Sequence, residues 1–453
     1  MYRLGITLLL MALAAPLLTA QQSPGQEQYD SLRVAYLDSL TYRQYLDGDY
    51  RELIRTSRRA EEEGIGFYYL NYRAAIAHYA LKDYAKAVEY YRETLSETPD
   101  DPALKEGLYY AYLLSGQREN AAILAKTLAP HTQATIGLKE SAVDYLSLSG
   151  GYLMNDNNPG SLSPAAGQDS LNQYQDMIFS ALGIGFNLSE RTTLKLGYQL
   201  YNTRFQRSVA TTLIKEEDLS QHQLVAALEF FTPNNVTWGF SGGYYNIETL
   251  NHILSSPASG NGGYGYGAGP GGNITPAGST SAATKRNSAC SLLAFFNKRF
   301  TYTLPEIAVA YSNFGGVDQY QVKGSLTYYP LGNLNFYGIT SAAVIHTPEG
   351  WTTEQYILSQ HLGVKLFRQI WFDANGSFGN HLNYITNRSF LVYDTYDPIK
   401  GMAGLTLSWF LKRMTVNAGY QWQQKEGYAY SDTGYTAYKY NNHLVNIALL
   451  WNF

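Results

Sequence analysis

The chain has 453 residues, with 33 Lys+Arg against 37 Asp+Glu and a formal net charge of −4. That balance argues against a general nucleic-acid binder, which carries a basic excess. A single cysteine excludes a disulfide framework and a thiolate metal cluster. Charged residues make up 15% while Tyr and Gly number 41 each, and no apolar run after the N-terminus is long enough for a spanning helix, so a membrane β-barrel is the class to test.

Residues 1–20 read MYRLGITLLLMALAAPLLTA, with one positive charge at Arg3, an apolar stretch over 8–18 and small residues before Gln21. This is the layout of a secretory signal peptide, with cleavage expected after Ala20. No cysteine follows it, so no lipoprotein anchor is expected. Export places the remainder outside the inner membrane and argues against a nucleotide-dependent cytosolic enzyme.

Composition then divides the chain. Residues 21–140 carry 32 charges in 120 residues, whereas residues 141–453 carry 37 in 313 and hold all six Trp. The first part reads as a periplasmic α-helical domain. It repeats at 34 residues, with Gly48-Asp49-Tyr50, Lys82-Asp83-Tyr84 and Gly116-Gln117-Arg118 at matching places, followed by Leu53, Ala87 and Ala121. Ala75, Ala87, Tyr91 and Pro99 in the middle unit, and Leu108, Tyr112, Gly116 and Ala121 in the third, carry a resemblance to a short tetratricopeptide (TPR) array over roughly residues 30–135. Such an array implies a concave face for a peptide or partner protein. Tyr68, Tyr69, Tyr72, Tyr79 and Tyr112 are the candidates for that face, against the simpler reading that they fill the inter-helix core.

From Ser141 the period changes to two. Met414, Val416, Ala418, Tyr420 and Trp422 alternate with Thr415, Asn417, Gly419, Gln421 and Gln423, as a strand between lipid and a wet interior requires. The pattern predicts an antiparallel outer-membrane barrel of about 14 strands over 141–453. Predicted connections alternate between short turns and longer loops, the latter at 154–173, 204–217, 247–285, 382–399 and 425–439. The even strand number puts both barrel ends, and with them the helical domain, on the short-turn side. The last strand carries Val445, Ile447, Leu449, Trp451 and Phe453 on one face. Its terminal aromatics Trp451 and Phe453 resemble the signal read by the barrel assembly machinery. Tyr328, Tyr329, Trp371, Trp409, Tyr420 and Trp422 suit interfacial girdles facing outer-membrane lipid.

Lys195, Gln199, His361, Lys365, Asp373, Asn375, Asn417, Gln421 and Asn446 are predicted to face the lumen, with His361, Lys365 and Asp373 as a candidate charged network. The glycine-rich stretch within 247–285 lacks Gly-Lys-[Ser/Thr] and is no phosphate-binding loop. It is expected at the cell surface, where it could fold inward to narrow the lumen. No spacing motif selects a catalytic group, a metal set or a cofactor, and Cys290 reads as a small wall residue. Lys298-Arg299 and Lys412-Arg413 fall in predicted periplasmic turns, facing lipid headgroups, a partner or solvent.

Domain order, repeat pattern and strand number resemble the surface lipoprotein assembly modulators and the exopolysaccharide exporters of the PgaA and BcsC type. The resemblance implies export, secretion or surface assembly of a protein or polysaccharide client captured by the helical array. The alternatives are a porin-like barrel docked to an envelope complex through its repeats and, remotely, an outer-membrane lipid hydrolase. The resemblance carries no residue role into the barrel.

Overall fold

The computed structural model describes residues 24–138, 141–156, 170–209, 213–233, 235–255, 281–349, 353–393, 397–431 and 434–453. The predicted export signal lies outside these residues. Seven helices come first: α1 (Pro24–Leu46), α2 (Tyr50–Glu62), α3 (Tyr68–Ala80), α4 (Tyr84–Glu97), α5 (Pro102–Leu114), α6 (Arg118–Ala125) and α7 (Pro130–Ile136). The 34-residue repeat seen in the sequence is a repeat of turns. Gly48, Lys82 and Gly116 each end a helix in the left-handed region, with φ of 71°, 66° and 81°. A left-handed residue lets the chain reverse while capping the last carbonyls. The next helix then starts on an N-cap: Asp49 accepts from the Glu52 amide and Asp83 from the Lys86 amide. Alanines at 74, 75, 77, 87, 111 and 121 are buried, so the helices approach closely around Leu53, Leu104, Leu108 and Tyr91.

The strands are β1 (Val143–Asn155), β2 (Ser170–Ser189), β3 (Thr192–Val209), β4 (Leu213–Thr232), β5 (Val236–Ser255), β6 (Ser281–Lys298), β7 (Thr303–Ser312), β8 (Gln319–Tyr328), β9 (Phe336–His346), β10 (Glu354–Phe367), β11 (Ile370–Gly379), β12 (Ile385–Thr386), β13 (Leu391–Val392), β14 (Ile399–Phe410), β15 (Met414–Ser431) and β16 (Gly434–Asn452). Fourteen of them close into one antiparallel barrel, with β11 next to β14 and β16 next to β1. The seam runs from Tyr145 opposite Asn452 to Asn155 opposite Asn442. β12 and β13 form a separate small hairpin.

Outward side chains are apolar. Leu148, Ile178, Leu224, Leu292, Leu358 and Ile447 are each more than half exposed on the outer wall. Trp238, Trp409, Trp451 and Phe410 stand exposed toward the short-turn end. A closed barrel with an apolar exterior leaves no backbone group unpaired in hydrocarbon. The chain is thus a transmembrane barrel of the outer-membrane type. Trp371, expected in the outer girdle, instead donates its indole N–H to the Leu334 carbonyl at 3.3 Å.

Two predicted loops are strand. Residues 204–217 and 425–439 belong mostly to β3, β4, β15 and β16, leaving only short connections at 210–212 and 432–433. β2, β4 and β5 reach 20 residues, about twice the ~10 that span a bilayer. Their outer ends lack period-two alternation, β4 beginning LIKEED and β5 ending ETLNHILS, which hid them from a pattern tuned to lipid. Cross-strand pairs hold them: Arg204 Nε donates to Asp176 Oδ1 at 2.7 Å, and Arg286 lies 3.3 Å from Glu248.

The helical array sits on the short-turn rim. It meets four successive turns, those after β2, β4, β6 and β8. Lys126 lies 3.1 Å from Glu190, and Asn120 Nδ2 donates to Asn235 Oδ1 at 2.9 Å. Arg299 donates to the Ser115 carbonyl at 2.6 Å and stacks over Tyr329, so this member of the basic pair serves the joint, while Lys298 stands over Phe300. The Tyr302 hydroxyl donates to Asp83 at 3.0 Å. The Ala85 amide donates to the Gly332 carbonyl at 2.9 Å, and Asn333 donates to the Lys82 carbonyl at 2.8 Å. Gly332 has φ +64°, and a Cβ there would overlap Asp83 Oδ1.

Gly332→Ala should therefore release the array from the rim without opening the barrel. Hydrogen exchange at the Ala85 amide should accelerate while the heat-modifiable gel shift persists; an Ala85 amide that stays protected would show that docking tolerates the added carbon. The joint should also weaken in acid. Burial alone would raise the Asp83 carboxyl, but hydrogen bonds from His78 and Tyr302 outweigh it and hold the group below its ordinary 3.8. A depressed value stabilises the fold fully above the ordinary value and is lost as pH falls through the lower folded one. The array's thermal midpoint should drop below pH 3.8, and Asp83→Asn should lower the midpoint near neutrality and flatten that drop.

Candidate luminal site

Residues 380–398 join β11 to β14, and the described part of this segment turns into the barrel. His381, fully buried, pins its root: its backbone N–H donates to the Ile399 carbonyl at 3.1 Å, and its Nε2 lies 2.6 Å from Ser377 Oγ. Ile385 then pairs with Val392 and Thr386 with Leu391. The tip places Asn387, Arg388 and Ser389 consecutively in the left-handed region, with φ of 50°, 55° and 66°. None is glycine, and each such residue costs on the order of 1 kcal/mol, so the surroundings must hold the tip in place.

The far wall does so. Gln321 on β8 pairs with both backbone groups of Ile385, at 2.7 and 3.0 Å. Lys323 donates to Thr386 at 3.1 Å. Arg388 grips Glu306 on β7 through two bonds, of 2.8 and 2.5 Å, and its Nε is 3.7 Å from Glu229 on β4. Its guanidinium lies 3.4 Å from the centre of the Phe295 ring. Ser389 Oγ is 3.0 Å from Ser241 Oγ on β5, and Gln199 on β3 donates to the Phe390 carbonyl at 2.5 Å. β4 is seven strands round the ring from β11, and β5 seven from β14. The hairpin thus crosses the lumen from one wall to the opposite one.

Of the predicted lumen residues, Lys195 and Gln199 belong to this clasp, Lys195 reaching Glu229 at 2.8 Å. His361 Nε2 and Asp373 Oδ1 lie 2.9 Å apart. Lys365 does not join them, its Nζ standing 4.5 Å from the centre of the Trp371 ring; the third member is instead Tyr337, whose hydroxyl donates to Asp373 Oδ1 and lies 3.5 Å from His361 Nε2. Asn375, Gln421 and Asn446 line a luminal cavity beyond the hairpin. Asn417 shares the inward face of β15, half-buried near the short-turn end.

The sequence missed Glu229, Glu306 and Arg388. A lone acid at a lumen-facing position of an otherwise apolar strand (LVAALEFF, LPEIAVAY) was the available signal. The element expected to narrow the lumen was the glycine-rich stretch, whose residues 256–280 lie outside the described ones. The segment that crosses it is the described part of 380–398, which in the sequence reads as an ordinary loop.

On the helical array, Tyr112 is buried in the inter-helix core, with Tyr68, Tyr72 and Tyr79 packed against it and half-buried. Tyr68 donates to Asp101 at 2.8 Å; burial and that carboxylate push its hydroxyl up to about 12. Tyr36, Tyr42 and Tyr69 are the more exposed aromatics, with Arg73 at 5.2 and 5.3 Å from the Tyr42 and Tyr69 ring centres. Cys290 is exposed on the outer side of β6. Among the described residues no cluster of three His, Cys, Asp or Glu could hold a metal ion.

No family model matches the chain, and no curated protein sequence matches it. Solved structures with a similar form include a Pseudomonas aeruginosa FadL homologue, with 10% identity, a TM-score of 0.42, and coverage of 69% of this chain and 90% of that one. A bacterial polysaccharide outer membrane secretin is similar at 9% identity and a TM-score of 0.35, over 70% of this chain and 100% of that one. The toluene transporter TodX of Pseudomonas putida is similar at 9% identity and 0.34, over 71% and 92%. Likeness this remote carries no argument about ligand or activity.

The hairpin's position is open to covalent test. In a Cys290→Ser background, Ser241→Cys with Ser389→Cys should form a disulfide on mild oxidation, since the two Oγ atoms already lie 3.0 Å apart. Mass spectrometry of the digested protein should find the 241–389 cross-link in most molecules, and its absence would place the tip away from β5.

Proposed function

We propose that the protein is a gated outer-membrane conduit whose helical array faces the periplasm and holds a client or adaptor at the lumen mouth. The reading rests on the clasp of Arg388 by Glu306 and Glu229 across the lumen. A hairpin wedged wall to wall leaves no path for a folded protein, so the client is a small solute or an extended chain. The clasp is built to release. When Arg388 leaves, Glu229 keeps Lys195 at 2.8 Å, and Lys323 remains close enough to act on Glu306 electrostatically. Neither carboxylate is stranded, which removes most of the cost of breaking a buried pair.

The array's part is local concentration. A client bound to the short-turn rim meets the lumen entrance as an intramolecular neighbour, with an effective concentration in the millimolar range for a short tether. The periplasmic placement follows from the predicted export signal and from the array sharing the short-turn end with both barrel termini. Phe453, exposed at the end of β16, supports delivery by the barrel assembly machinery, and the apolar wall supports residence in outer-membrane lipid.

Planar-bilayer conductance tests the gate. The native protein should show rare, small openings. Arg388→Ala and a variant lacking 383–393 should conduct severalfold more, and the oxidised 241–389 disulfide should close the Arg388→Ala pore. Equal conductance with and without the hairpin would end the reading.

A further inference from the structure

Behind the hairpin, in the long-loop half of the barrel, lies a cavity of 260 Å³. Its walls come from β1–β4, β11 and β14–β16, and the hairpin closes one side with Leu391, Val392 and Tyr393. A cavity of about 150 Å³ suffices for benzene, so this one has room for a molecule of about twice that size. The lining is mostly apolar. Tyr174 and Phe205 meet edge to face at 5.1 Å beside Met177 and Leu219. Lys425 is buried at the same site, but its Nζ lies 4.7 Å from the centre of the Tyr174 ring, and Asp397 acts on it electrostatically. The Tyr174 face is thus a neutral partner already beside this cation.

Two amides in this lining are different. Gln221 and Gln223 face the cavity from β4 and are 4% and 1% exposed. Gln221 Nε2 and Gln223 Oε1 have no hydrogen-bond partner among the described residues. On the opposite wall Gln421 and Gln423 solve the same problem by bonding each other at 2.9 Å. Buried amide atoms are ordinarily paired, and leaving them unpaired is costly. Positions two apart on a strand present their side chains to the same face. The pair therefore holds one unpaired donor and one unpaired acceptor in the wall of a mostly apolar, aromatic chamber whose other polar residues include Asn375, Gln421, Gln423 and Lys425.

We propose that this chamber is a binding site for a neutral, largely apolar molecule of bicyclic size bearing one hydroxyl or amide group, which accepts from Gln221 and donates to Gln223. Because Leu391, Val392 and Tyr393 form part of the wall, the occupant touches the hairpin itself. The inference goes beyond the conduit reading and stands apart from it: binding is read with or without current, and the gate is read with or without ligand.

The test uses the full chain in lipid nanodiscs, with 2-naphthol as probe and naphthalene as its apolar twin, against empty nanodiscs. Calorimetry should show saturable one-site binding of 2-naphthol. Gln221→Leu and Gln223→Leu should each weaken it about tenfold, the scale of one buried hydrogen bond, and bring it toward naphthalene. Leu219→Trp, which fills the chamber, should abolish binding. If that variant loses the heat-modifiable shift, Thr406→Phe fills the chamber from the opposite wall in its place. Three results would overturn the proposal: no saturable binding to the folded native protein; undiminished binding in a filled chamber; or equal affinity for both probes with the glutamine variants unchanged, which leaves the amides to water.

Discussion

The structure depends on closure of the backbone hydrogen-bond ring. A strand edge in hydrocarbon would leave a row of N–H and C=O groups unpaired, each at a cost of several kcal/mol. The seam between β1 and β16, running from Tyr145 opposite Asn452 to Asn155 opposite Asn442, removes that edge. Closure with an even number of antiparallel strands also returns both barrel ends to one side. The array is tied to residue 143 by a few residues, so it must stand at the short-turn rim, where it is found. Closure also fixes which face of each strand meets lipid, and this makes the interior a place for polar side chains.

That interior poses a second problem, which the hairpin answers. A lumen lined with carboxylates, lysines and glutamines either fills with water or finds protein partners. Here residues 380–398 bring backbone carbonyls to Gln199 and Gln321 and a guanidinium to Glu306 and Glu229. Three successive left-handed residues are the cost of shaping the tip, and the clasp offsets it. A buried ion pair of this kind stabilises less than its Coulomb energy suggests, because both partners are desolvated. Its value lies in fixing one position for the hairpin while leaving each carboxylate another cation nearby.

The helical repeat and the barrel were legible because each is a matter of period. The 34-residue spacing marks the left-handed turns at Gly48, Lys82 and Gly116, and period-two alternation marks strands crossing lipid. The outer strand ends were not legible, since past the bilayer polar and apolar residues are mixed on both faces and alternation disappears while backbone pairing continues, as at Arg204 and Asp176. The hairpin was hidden for the opposite reason. Ile385, Phe390, Leu391 and Val392 are apolar residues in what reads as a loop, and the pattern does not say whether they cover a core or face solvent. Its left-handed turn is built from Asn, Arg and Ser, so no glycine announced it. The lumen assignments of Lys195 and Gln199 followed from face alone. Their partners needed the ring's curvature, which brings β4 opposite β11.

The geometry also divides the barrel between two tasks. The turns that carry the helical array follow β2, β4, β6 and β8, and the groups that hold the hairpin tip come from β3 to β8. Tyr302, in the turn just before β7, donates to Asp83 of the array and stands four positions ahead of Glu306, which holds Arg388. The cavity is lined instead by β11, β14–β16 and β1–β4, with the hairpin's other side as its cover. Joint, clasp and chamber thus meet through one short segment that touches both walls. On the proposed gating, linkage makes any coupling among them reciprocal: a ligand that binds more tightly with the hairpin in place must hold it there by the same free energy, and an array whose docking differed with the hairpin displaced would shift that equilibrium by the difference.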